Sequence, residues 1–90
     1  MSVIHKYTLL SGAGHESSSL IEMPENAQIL SCQIQNGAIV IWALHDEGKK
    51  IVRHFTCYGT GLHIPYKEVR YHIATLQDPY GLVWHIFEEK

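Results

Sequence analysis

Apolar and polar residues alternate along most of this chain with the period of two that marks a half-buried β-strand. Val3 to Leu10 opens the pattern, with Val3, Tyr7 and Leu9 on one face and Ile4, Lys6, Thr8 and Leu10 on the other. Ser19 to Met23 reads as a short strand, stopped by Pro24, which has no N–H to give to a ladder. From Gln28 the alternation sharpens, with Leu30, Cys32 and Ile34 on one face and Ser31, Gln33 and Gln35 on the other. Asn36-Gly37 follows, and both positions tolerate the positive φ that a tight hairpin turn demands. The partner strand, Ala38 to His45, is apolar on both faces through Ile39-Val40-Ile41-Trp42-Ala43-Leu44, as suits a central strand.

Three more strands complete the series. Ile51 to Tyr58 follows a charged turn, Asp46 to Lys50, and ends at Gly59-Thr60-Gly61. Val69 to Gln77 comes next, with Val69, Tyr71 and Ile73 opposite Arg70, His72, Ala74 and Leu76. Asp78-Pro79-Tyr80-Gly81 then turns the chain into Leu82 to Glu88, the most apolar run near either end, with Leu82, Trp84 and Ile86 inward. Short strands between regular turn signals predict an all-β fold, a small antiparallel β-sandwich or partly open barrel of about six or seven short strands. Ser11 to Ser19, rich in Ser and Gly, is expected to be a flexible loop within a single domain spanning residues 1–90.

Composition narrows the function classes. Ninety residues hold one core, and the apolar fraction of 46% excludes a disordered chain. A formal charge of −2 offers no basic field for a nucleic-acid backbone. Seven histidines add positive charge below neutrality, because a free imidazole titrates at about pH 6.5. No apolar run reaches the roughly 20 residues of a membrane helix, and the start lacks the pattern of a signal peptide. The cytoplasm is therefore the expected compartment. Cys32 and Cys57 fall inside strands and are most simply buried thiols, with a disulfide between them left open.

Candidate chemistry is sparse. His54, His72 and His85 each lie near the middle of one of the last three strands, and the right register would line them up as a three-imidazole metal site. A slip of one residue sends any of them to the opposite face, so the simpler reading is three separately satisfied side chains. Gly59-Thr60-Gly61, with Tyr58 and His63 beside it, is the best rim for a small anionic ligand, with Arg53 and His63 as charge partners. The competing reading is a tight corner where a strand leaves its sheet. Cys57, His54 and Asp46 assemble into a nucleophilic triad only on paper, because no nucleophile elbow is present. Most carboxylates occupy turns and ends, where solvated charge is expected. Trp42 and Trp84 are expected to be core anchors with bonded N–H groups.

Several motifs carry a resemblance. Ile4-His5-Lys6-Tyr7, Met23-Pro24 followed by Ala27-Gln28-Ile29-Leu30, Trp42-Ala43-Leu44, Gly59-Thr60-Gly61 and Leu82 to Glu88 stand in this order. Together they resemble a group of small bacteriophage and prophage proteins of about this length, whose function is unknown. The resemblance transfers no catalytic residue and no cofactor. It implies a phage accessory protein that works in the host cytoplasm by binding a host or phage protein, such as a component of a defence system. The second reading is a module that sequesters a nucleotide-like anion, and the third is the histidine metal site. Nucleic acid and membrane are not expected partners, whereas pairing of exposed strand edges into a homodimer is open.

Overall fold

The computed structural model describes residues 1–9, 16–65 and 70–89. Among them are seven strands and no helix: β1 (Val3–Thr8), β2 (Glu16–Pro24), β3 (Gln28–Gln35), β4 (Ala38–His45), β5 (Lys50–Gly59), β6 (Arg70–Gln77) and β7 (Val83–Glu89). They form two antiparallel sheets, one in the order β1-β4-β3 and the other in the order β2-β5-β7-β6. The sheets do not close into a barrel, so the sandwich alternative holds. β2 begins at Glu16, so the end of the expected loop is strand, while residues 10–15 lie outside the described residues.

The local signals work as the residue chemistry demands. Asn36 and Gly37 take φ of 51° and 80°, the turn that lets β3 and β4 fold back on each other. β4 is central in its sheet, and Ile39, Ile41 and Ala43 project from it into the core. β7 is internal in the other sheet and contributes Ile86, which is fully buried. Burying a side chain such as Ile41 or Ile86 stabilises the fold by about 1.5–3 kcal/mol. Phe55, Met23, Cys32 and Cys57 fill the space between the sheets. Both cysteines are free, and burial together with the neighbouring Cys57 pushes the Cys32 thiol up to about 11, which keeps it unreactive.

Two bulges correct the expected alternation. Ile29 pairs with Ala43 and Ser31 with Trp42, so Leu30 is the extra residue and stands 45% exposed, not inward with Cys32 and Ile34. His72 pairs with Phe87 and Ala74 with Ile86, which makes Ile73 the extra residue of β6. Leu82 precedes its strand and is exposed, contrary to the expected inward position. Trp42 shares the outer face of its sheet with Lys6 and Ser31, half-buried and outside the core. Trp84 does pack on the core, and its indole N–H donates to Asp78 Oδ2 at 3.1 Å.

Asp78 also organises the turn before β7. Its Oδ1 accepts from the amides of Tyr80 and Leu82 at 2.9 and 3.0 Å, a side chain standing in for a strand partner. Burial alone would push this carboxyl up. The bonds from Trp84, Leu82 and Tyr80 outweigh that and hold it below the ordinary carboxylate range.

At its other end β7 finishes on Glu88 and Glu89, both buried where solvated charge was expected. Successive strand residues point to opposite faces, so Glu88 enters the sandwich and Glu89 the outer face. Arg53 reaches Glu88 with Nε and Nη2, both at 2.7 Å, and its Nη1 donates to the Ala27 carbonyl at 2.7 Å. Arg70 Nε meets both oxygens of Glu89, and the Thr56 hydroxyl donates to Glu89 Oε1 at 2.9 Å.

Candidate functional site

β3 lies against β6 on one side of the sandwich, where the two layers meet. On the opposite side the free edges of β1 and β2 flank a cleft of about 920 Å³. Its walls come from the start of β1 (Val3, His5, Tyr7), the end of β2 (Glu22, Pro24) and the β4–β5 connection from His45 to Lys50. His5 and Tyr7 reach it because they sit two apart on the inner face of β1, and His45 joins them as the residue opposite Val3.

The polar groups here are linked. Tyr7 Oη and His45 Nε2 are 3.0 Å apart, and the His5 and His45 rings meet edge to face at 4.9 Å. His45 is only 7% exposed, and its Nδ1 is buried with no hydrogen-bond partner. A buried ring nitrogen without a partner costs about 1–3 kcal/mol. Exposed Glu22, Asp46 and Glu47 surround the opening with Lys50 as the counter-charge, and Ser2 Oγ donates to Asp46 Oδ1 at 2.6 Å. The cleft therefore offers apolar walls from Val3 and Pro24, an acidic rim and two imidazoles. Such a surface suits an extended, positively charged segment.

The sequence pointed elsewhere. His54, His72 and His85 do share one face, the outer face of the β2-β5-β7-β6 sheet, but at three different levels. His54 is level with Glu89, His72 with Phe87, and His85 with Tyr58 and Thr75. The four residues from Glu89 to His85 put about 13 Å between the outermost levels. Each ring is hydrogen-bonded to a hydroxyl: His54 to Ser18, His85 to Thr60, and His72 and His85 both to Thr75, which they share. Among the described residues, no three His, Cys, Asp or Glu side chains are grouped to hold a metal ion. The Ser18 hydroxyl and His54 Nε2 are hydrogen-bonded on the open sheet face, and neither residue lines the cleft.

The rim around Gly59, Thr60 and Gly61 is a corner. Gly61 takes a φ of 92°, the Thr60 amide donates to Val83, and the Leu62 amide donates to Gly59. Two amides of the expected anion nest are thus already committed. His63 is exposed nearby, but Tyr58 is buried against Phe87 and the Arg70 guanidinium. Arg53 lies six residues down β5 from Gly59, roughly 20 Å away, and is engaged by Glu88. The structure does not bring Arg53 to that corner. His5, Tyr7 and His45 went unselected, although His5 and Tyr7 carry the spacing of neighbours on one strand face. His45 belongs with them through strand pairing, which no spacing in the sequence announces.

A family model described as a domain of unknown function (DUF7352) matches residues 1–90. No curated protein and no solved structure matches the chain. No helix among the described residues is long and apolar enough to cross a membrane.

Proposed function

We propose, for a chain that belongs to the DUF7352 family throughout residues 1–90, that it acts by binding a protein partner, which it holds in the cleft between β1 and β2. One observation carries this reading: a cleft of about 920 Å³ bordered by the free edge of β1 and an acidic rim. An extended segment laid along β1 would gain main-chain hydrogen bonds from the free edge. A lysine or arginine on that segment would meet Glu22 and Glu47. The resemblance to small phage proteins supports an accessory role in the infected cell's cytoplasm, with a host or phage protein as the target.

Selection of short random peptides on the immobilised protein tests the reading. Enriched peptides are expected to carry Lys or Arg, and to lose at least about tenfold in affinity when Glu22 and Glu47 are both replaced by Lys. Enrichment of acidic peptides, or binding that survives the double replacement, would overturn it. So would a melting-point rise with a panel of nucleotides and none with basic peptides.

A further inference from the structure

We infer that His72 and His85 form a binding site for a late first-row transition-metal ion, of the nickel or copper class, on the outer face of the four-stranded sheet. A bulge makes the pairing possible. Residues 72 and 75 of a regular strand would face opposite sides, but the extra residue Ile73 returns them to one face. Thr75 then stands directly opposite His85, and His72 lies diagonal to His85 across β6 and β7, within reach of a long side chain. His72 and Thr75 are exposed and His85 is half-buried, so solvent reaches the group. None of the three lines the cleft.

The two rings aim at one point. His72 Nε2 is 2.9 Å from Thr75 Oγ1 and His85 Nδ1 is 3.2 Å from the same oxygen, which places the nitrogens within about 6 Å of each other. Two imidazoles that share an ion stand roughly 3–3.5 Å apart. Rotation of the exposed His72 ring closes that gap as the Thr75 hydroxyl turns out to solvent. His85 is already oriented, because its other nitrogen, Nε2, is 2.7 Å from Thr60 Oγ1. A ligating histidine keeps its tautomer through such a bond, and with Nε2 donating to Thr60 the lone pair of Nδ1 is free for the metal. The neighbouring Arg70 is paired with Glu89, which lowers its repulsion of a bound cation. Two nitrogen ligands, with water in the remaining positions, suit Ni²⁺ and Cu²⁺ ahead of the oxygen-seeking Mg²⁺ and Ca²⁺. His54, bonded to Ser18 and about 13 Å from the level of His85, takes no part.

Titration calorimetry of the whole chain with nickel chloride is expected to show saturable binding of a single ion. His72→Gln and His85→Gln should each weaken it at least about tenfold, with unchanged far-UV circular dichroism and unchanged binding of basic peptides. His54→Gln, on the same face, should leave it unaltered. Thr75→Ala, which clears the point where the rings converge, should bind nickel at least as tightly as the wild type. In the unaltered protein, nickel added below stoichiometry should perturb the NMR ring signals of His72 and His85 before those of the remaining histidines. Absence of saturable binding, full binding in His72→Gln or His85→Gln, an equal loss in His54→Gln, weaker binding by Thr75→Ala, or first perturbation at another histidine would overturn the inference.

Discussion

Glu88 and Glu89 are neighbours on one strand, both buried and both held by an arginine, yet their surroundings differ. Inside the sandwich, Arg53 grips Glu88 through two nitrogens and spends its third on the Ala27 carbonyl. On the outer face, Arg70 meets Glu89 through Nε alone and lies over the rings of Tyr58 and Phe87, at 5.6 and 5.5 Å from their centroids. Its Nη2 is buried without a hydrogen-bond partner. The inner arginine is thus fixed by directional bonds, and the outer one partly by stacking on aromatic faces. The lesson concerns alternation. A strand that places consecutive carboxylates on opposite faces needs two separate solutions to the same desolvation problem.

The largest expected effect tests the inner pair. Glu88→Ala leaves the Arg53 charge buried without its carboxylate and should cost about 3–5 kcal/mol of stability, read from urea unfolding. Next comes a direct contrast between the two arginines. Arg53→Lys loses the two-pronged contact and the Ala27 bond and should cost about 2–3 kcal/mol. Arg70→Lys gives up ring stacking, gains relief of an unpartnered N–H, and should cost about 1 kcal/mol or less. Equal losses would show that the two sites are energetically the same.

The turn before β7 extends the contrast to a half-buried carboxylate. Asp78 holds its charge more firmly folded than unfolded. Its contribution is therefore complete above about pH 4 and is lost as pH falls through the lowered folded value. Asp78→Asn should flatten the acid limb of a melting-temperature profile relative to the wild type. An unchanged limb would remove the carboxylate from the account of this turn.

The smallest change belongs to the cleft. Replacing Tyr7 by Phe and His45 by Leu together removes both ends of a half-satisfied polar pair. The double variant should shift stability by less than about 1 kcal/mol. Its affinity for basic peptides should fall. A large loss of stability would mark these residues as structural, as Glu88 is.

Local patterns account for a good part of this outcome. Asn36-Gly37 announces its own turn because positive φ at consecutive positions restricts the residue types that fit. The Asp78 to Gly81 turn reads equally well, since an aspartate side chain caps amides only two and four residues away. Arg53 does not join the corner at Gly59 to His63, because it lies six residues down the same strand and is bonded to Glu88. Strand position can be read from sequence, whereas the partner that saturates a charge comes from a distant strand.

What the chain by itself determined, then, is the series of strands, most of their turns and an all-β fold, because period-two patterning and turn chemistry act over a few residues. Only the tertiary structure decided which faces are buried. Bulges at Leu30 and Ile73 shift a strand's facing by one residue, and a one-residue shift reverses every side chain beyond it. Only the tertiary structure brought His45 beside His5 and Tyr7, and Glu88 beside Arg53. Those contacts join residues 35 to 40 positions apart. They depend on register between strands, which local residue preferences do not encode.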